Sequence, residues 1–456
     1  MSARERLRVL HVAHSAAPEG RGGVEAYLAE ILPHQRSREV DARMFTGSVA
    51  HWPEFGVEDL DVEGVPIRRI HRQDFYFDHF AKQFHPDAER TFRETLREWK
   101  PDVVHVHQWL RLSSELCAIA GEEGIPAVLT LHDLYSSCPR CFRVRPGEIH
   151  CERVLSVESC FDCVPRYGHE SDREIRTSIE LYRDHSRAEI ESARTVLVAS
   201  EATRDLISRG LQVDGSGFEL LPLAYEPRFP TGVPSKGSDA SRPLRFGYWG
   251  NLTYRKGIPV LIEAFAQLAR TFSARPIELH LFGRIDTPEL ERQLQELAEG
   301  LPVTFHGRYE YEELAASGLD VAVFPMVCFE TWGFVLDEAF ELGLPVVLTD
   351  VGAMPERLGH AGLRVPPRDA HTLAGAMKRM AADDDLRARC REAIRGGDAE
   401  RSAGSLPAHL DRLEAIYRRV IDEGPRAPRR LGAERWSELL WLQRESAQAR
   451  SGGAPS

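Results

Sequence analysis

Apolar residues along this chain fall into short runs separated by stretches of helical spacing. LRVLHVAHS (residues 7–15) predicts a strand, and VEAYLAEIL (24–32), apolar at steps of three and four, predicts a helix. Further strands are expected at 40–45, 65–71, 103–107, 127–132 and 195–199, with helices at 88–99 and 173–193. Apolar strands joined through helices imply a parallel sheet covered on both faces. The pattern stops at FPTGVPSKGSDASRP (229–243), whose Pro, Gly and Ser have almost nothing to bury, and this is taken as a linker. It then restarts: strands at 244–249, 277–282, 303–306, 320–325 and 345–349, helices at 258–270, 288–299, 310–317 and 334–342. The expected fold class is α/β, with two doubly wound, Rossmann-like units whose intervening cleft would hold a ligand.

The expected domains are 1–228, with a cysteine-rich insert at 136–166, and 244–404, followed by a crossover helix at 405–424. The remainder, 425–456, is a Pro/Arg-rich spacer and an amphipathic tail in which Trp436, Leu439 and Leu440 share one helical face. That face suits packing onto the body of the protein, or a membrane surface as the alternative.

Composition narrows the function. A net charge of −12 gives no overall basic field for nucleic acid or anionic lipid. The opening MSARERLRVLHVAHSAAPEG has the charge-then-apolar order of a secretory leader. His11 and His14 interrupt the run, however, and a Gly-rich turn follows where a cleavage site would stand, so a first strand and a cytoplasmic protein are expected.

Three segments carry candidate chemistry. FGYWGNLTYRKG (246–257) delivers Arg255 and Lys256 to the end of a strand beside a helix start, where cations and backbone amides together suit a diphosphate. FETWGFVLDEAFELGLPVV (329–347) places Glu330 in the loop after a buried strand and Glu338 on the following helix, with Thr331 able to cap and Gly333 allowing close backbone approach. Two carboxylates so spaced can grip different hydroxyls of one ligand. In the first half, Gly22 and Gly23 can turn amides toward a phosphate. The second strand ends in Thr46-Gly47 rather than an acid, which disfavours a nicotinamide dehydrogenase. His132, at a strand end in TLHDLYSSCP, faces the expected cleft; His105 and His107 are a second histidine pair. Five of the eight cysteines lie in one segment, as Cys138-x2-Cys141 and Cys160-x2-Cys163 with Cys151 between. Two such knuckles have the spacing of a structural zinc site, and the spacing alone leaves the four ligands open.

Over about its first 400 residues the chain resembles the retaining glycosyltransferases of family 4, of the GT-B architecture. The most specific likeness is Glu330, Gly333, Glu338 and Ala339, then Gly343 and Pro345. The resemblance implies that Glu330 contacts the donor sugar, that Glu338 holds the ribose, and that amides around Trp332, Gly333, Phe334 and Val335 hold the phosphates. It further gives Lys256 the diphosphate and His132 the donor sugar near its reacting carbon. The family usually has arginine where Asn251 follows Gly250, and Arg255 can supply that charge from the other side of the turn. Similar inserts favour Cys138, Cys151, Cys160 and Cys163 as zinc ligands, with Cys141 the alternative. The implied reaction moves a sugar from a nucleoside-diphosphate sugar to the hydroxyl of a sugar, glycolipid or polysaccharide acceptor, with retention and no divalent metal on the phosphates. Loose contact with the inner face of the membrane would follow from such acceptors. A nucleotide-sugar epimerase of the same fold, and a zinc-ribbon nucleic-acid binder, are the alternatives.

Overall fold

In the computed structural model, which describes residues 6–20, 22–228, 242–396 and 405–451, the chain forms two compact units. The first comprises Met1–Phe142, Glu152–Leu221 and Leu406–Ser456, and the second Arg143–Cys151 and Pro222–Ser405. Most of the expected linker, 229–241, lies outside the described residues.

The strands in chain order are β1 (Arg8–Ala13), β2 (Asp41–Thr46), β3 (Gly56–Val62), β4 (Val65–His71), β5 (Val103–Val106) and β6 (Ala127–Thr130). A two-residue hairpin pair, β7 (Val144–Arg145) and β8 (Ile149–His150), precedes β9 (Thr195–Val198) and β10 (Phe218–Leu220). The first unit's sheet runs β10-β9-β6-β5-β1-β2-β4-β3. Its central strands β5, β6 and β9 (VVHV, AVLT, TVLV) are buried throughout, as a parallel sheet covered on both faces requires.

One departure is the edge. β3 pairs antiparallel with β4, so this sheet is not wholly parallel. Its alternate residues Val57, Asp59 and Asp61 are exposed, which suits an edge strand open along one face, and the acids there discourage further pairing. The connection is a two-residue turn, Glu63 and Gly64, with φ of +52° and +80°, the left-handed pair that matches hairpin twist.

The second unit is a six-stranded, fully parallel sheet. Its strands are β11 (Leu244–Trp249), β12 (Ile277–Phe282), β13 (Val303–Gly307), β14 (Val321–Phe324), β15 (Val346–Thr349) and β16 (Gly362–Val365), in the order β13-β12-β11-β14-β15-β16. The strand order reverses between β11 and β14, and doubly wound sheets bind ligands beyond the strand ends at such a switch point.

The helix Leu406–Glu423 returns to the first unit, burying Leu410, Leu413, Ile416 and Tyr417. In the last helix, Ala433–Ser451, Trp436 stacks on Phe84 at 5.1 Å and packs with Leu439 against Leu181. Leu440, expected on that face, stays exposed beside Trp441; Leu442 is buried instead, so the inward stripe follows steps of three. No helix among the described residues is long and apolar enough to cross a membrane.

Candidate active site

The segments following β11 and β14 meet at the switch point of the second sheet. Val327 and Cys328 both donate from their backbone N–H to the carbonyl of Arg255, at 2.9 and 3.0 Å, clamping the basic turn to the acidic loop. Gly257 makes that approach possible. Its φ is +74°, and a Cβ there would stand 1.9 Å from the carbonyl oxygen of Pro325.

Within this frame Lys256 Nζ is bonded to Glu330 Oε1, and the Cys328 thiol donates to the same oxygen at 3.4 Å. Burial opposes the charge on Lys256, but the Glu330 carboxylate outweighs it and holds the lysine above its ordinary pKa. Burial, then Glu330, pushes the Cys328 thiol up to about 12. The backbone of Glu330 is fixed as well, its carbonyl accepting from Ala353 N–H at 2.8 Å.

Glu338 sits on the helix Phe334–Glu341 and accepts from the indole Nε1–H of buried Trp249 at 2.7 Å, with Arg228 3.5 Å from its other oxygen. Burial raises its pKa, while Trp249 and Arg228 pull the other way. Gly333, at φ +82°, is the N-cap residue, so the cap position falls two residues beyond Thr331. The helix start is anchored from behind. Arg357, buried, donates to the carbonyl of Trp332 at 2.9 Å, bonds Asp337, and lies 3.6 Å from the Trp332 ring centroid. Trp332 thus packs against Arg357, and Leu336 N–H donates to the Gly333 carbonyl at 2.9 Å at the start of a helix, the kind of terminus that suits an anion.

The structure therefore gathers Asn251, Arg255, Lys256, Glu330, Thr331, Trp332, Gly333, Phe334 and Glu338 in one unit, after β11 and β14. His132, Gly22 and Gly23 belong to the other. There the Gly22 N–H donates to Glu25 Oε2 at 2.9 Å, so a side chain of the protein already holds the glycine turn's anion position. His14 lies 3.1 Å from Glu25, and Ser15 bonds it too. His132 is half-buried, and burial, then His409, pushes its pKa down to about 3. His105 and His107 are fully buried, with His11, on one side of the sheet.

In the cysteine segment each knuckle closes on itself: Cys141 N–H donates to Cys138 O at 2.8 Å and Cys163 N–H to Cys160 O at 2.9 Å. Arg140, inside the first knuckle, donates to the carbonyl of Cys163 at 3.3 Å, tying the two turns together. Cys151 N–H donates to Arg143 O at 2.8 Å. All five cysteines are half-buried, and no disulfide joins them. The same run carries Arg140, Arg143, Arg145 and Arg153.

Sequence reasoning missed Trp249, Arg228 and the Arg357–Asp337 pair. Trp249 was visible as the last residue of a predicted strand. Arg228 and Arg357 carry no local signal, because each reaches its partner only through tertiary packing.

Paired carboxylates and a lysine thus stand at the switch point of a parallel sheet, in a chain of two Rossmann-like units. Residues 22–224 match the family model described as "Glycosyl transferase 4-like domain", and residues 243–383 the one described as "Glycosyl transferases group 1". The chain belongs to these glycosyltransferases of the GT-B fold. It is 27% identical over 301 residues to a glycogen synthase of Mycobacterium tuberculosis, covering 63% of this chain and 62% of that one. It is 29% identical over 320 residues to a phosphatidyl-myo-inositol mannosyltransferase of Mycolicibacterium smegmatis, covering 67% and 69%. The chain thus spans about three fifths of that glycogen synthase's length. Among solved structures, Anabaena Alr3699/HepE in complex with UDP and glucose superposes with a TM-score of 0.59 at 17% identity, over 90% of this chain and 99% of that one.

Proposed function

We propose that this protein transfers a sugar from a nucleoside-diphosphate sugar to an acceptor hydroxyl, with retention at the anomeric carbon. The observation that carries the reading is the paired arrangement at the second switch point: Glu330 with Lys256, and Glu338 with Trp249. Glu338, oriented by the indole, is the partner for the ribose hydroxyls, and Glu330 for a hydroxyl of the sugar. Lys256, Arg255 and the first-turn amides near Gly333 stabilise the diphosphate as it departs, where electrostatic preorganisation contributes most. Retention is supported by the likeness of the Glu330–Glu338 segment to the retaining family. His132, in the first unit, is a further proposed substrate contact; the Gly22-Gly23 turn is not carried forward, because Glu25 already holds its anion position.

The named relatives support a polysaccharide or lipid-linked acceptor. Such acceptors suit a cytoplasmic enzyme touching the inner face of the membrane. The cysteine segment is proposed to hold one structural zinc ion through four thiolates, Cys138, Cys151, Cys160 and Cys163, with Cys141 as the alternative ligand.

A thermal-shift screen against UDP-, GDP-, ADP- and dTDP-sugars tests the reading, because a ligand bound only by the folded state raises Tm by mass action. One donor class is expected to stabilise the protein, Glu338→Ala to lose that shift, and Glu330→Ala to lose transfer while still binding nucleotide. Parental behaviour in both variants would remove the site assignment.

A further inference from the structure

Behind His132 the first unit holds a row of histidines that the proposed chemistry does not yet use. His11 stands on β1 and His105 and His107 on β5 and just beyond it; Thr130 and His132 follow the same alternation along β6. Parallel pairing sets His11 opposite His105 and His105 opposite Val128, so the period-two repeats HVH and TLH line up on one side of the sheet. Helix Gly23–Ser37 contributes Gln35 to that side, and helix Leu406–Glu423 contributes Tyr417.

The contacts run in a line. Gln35 Oε1 lies 2.9 Å from His11 Nε2, His11 Nδ1 lies 2.9 Å from His107 Nε2, and His107 Nδ1 lies 2.8 Å from His132 Nε2. Successive rings are nearly parallel, at 17° and 24°. His105 forms a separate branch, between Tyr417 OH and Thr130 Oγ1, both at 2.6 Å. Nitrogens of His11, His105 and His107 come close enough together for a metal ion, but both ring nitrogens of each already meet a hydrogen-bond partner.

A neutral imidazole has one donor and one acceptor nitrogen. Burial keeps His11 and His107 neutral at physiological pH. In a line of neutral rings every bond must then point the same way, and the end group decides which. An amide oxygen only accepts, so His11 donates from Nε2 and accepts at Nδ1; His107 then donates from Nε2, and His132 in turn donates from its Nε2.

We propose that Gln35, His11 and His107 are positioning residues, a one-way hydrogen-bond line that fixes His132 as its Nε2–H tautomer with Nδ1 as the acceptor nitrogen for a substrate hydroxyl. The role of His132 toward substrate rests on the proposed transferase reading; the tautomer does not. A wrong tautomer would offer an N–H where the hydroxyl needs a lone pair.

The test is histidine-selective 15N NMR on the full-length protein, with His132 assigned from His132→Gln, alongside kinetics with the donor found by thermal shift. The parent is expected to show a protonated Nε2 and an unprotonated Nδ1 at His11, His107 and His132. His107→Phe is expected to give a mixed His132 tautomer and a fall in kcat of about tenfold or more with donor KM within about twofold. His107→Gln, which can still accept from His132 and donate to His11, restores the parental tautomer and most of the rate. If His107→Phe does not fold, Gln35→Met removes the end of the line at nearly constant volume and is expected to give the same mixture. A parental His132 carrying its proton on Nδ1, or an unchanged tautomer in both Gln35→Met and His107→Phe, overturns the proposal. If the tautomers behave as stated but His132→Gln transfers sugar at the parental rate, the line stands and the reading of His132 as a substrate contact fails.

Discussion

Glu330→Gln separates a site carboxylate from a structural one. Glu330 holds Lys256, and both side chains are mostly buried, 20% and 27% exposed. A diphosphate must draw Lys256 toward itself while lying near the Glu330 charge. Two unit charges about 6 Å apart repel by about 3 kcal/mol at an effective dielectric of about 20. Partial neutralisation by Lys256 and screening by solvent bring this to about 1 kcal/mol, or about fivefold in affinity. Glutamine keeps the shape and removes the charge. Glu330→Gln is therefore expected to bind a free nucleoside diphosphate about fivefold more tightly than the parent, by isothermal titration. Sugar transfer moves the other way: losing a charged hydrogen-bond acceptor for a substrate hydroxyl costs about 2 kcal/mol, a fall of about thirtyfold in kcat/KM. Tighter nucleotide binding with slower transfer is the signature. A variant that binds nucleotide more weakly and transfers normally would show that Glu330 only props up Lys256, and the argument would fail.

Other expectations follow from the same geometry. Trp249→Phe removes the N–H that Glu338 accepts while keeping an apolar ring in place, and it is expected to weaken nucleotide binding by about tenfold, as loss of a charge-assisted hydrogen bond would; titration with the donor nucleotide checks this. Gly257→Ala forces a left-handed φ and a Cβ against the Pro325 carbonyl, so the second unit should lose about 2 kcal/mol or more, read as a lower denaturant midpoint. His11 has its pKa lowered to about 4 by burial, opposed in part by Gln35. The unfolded chain therefore binds the extra proton first, and His11 contributes stability that is whole above pH 6.5 and is lost as pH falls toward 4, about 3 kcal/mol in all. Chemical unfolding between pH 7.5 and 4.5 should show that decline, flattened in His11→Gln. Metal analysis of the purified protein should find one zinc per chain, lost in Cys160→Ser, and comparison of Cys141→Ser with Cys151→Ser identifies the fourth ligand. A folded parent with no bound metal would end that assignment.

Which of these features can be read from the chain depends on how they are made. The second unit was legible almost strand for strand because its strands are short apolar runs that alternate with helices. The meeting of Lys256 and Glu330 was legible for the same reason: each lies within a few residues of a strand end, and the topology of a doubly wound sheet brings strand ends together. The edge strand β3 escaped because GVEDLDV offers only half an apolar face, and its turn needed the Glu63-Gly64 pair to be taken as a hairpin signal. Gly22 and Gly23 suggested an anion site, yet Glu25, three residues along the same helix start, fills it from within. The histidine line shows the limit most clearly. His11 was visible inside a predicted strand and His107 and His132 at the ends of two others, but 96 residues separate the first two and 25 the last two. Only the register of β1, β5 and β6 makes them neighbours, and only the acceptor at Gln35 gives their shared protons a direction. Residue type thus identifies what a side chain can do, and strand register decides what it does it with.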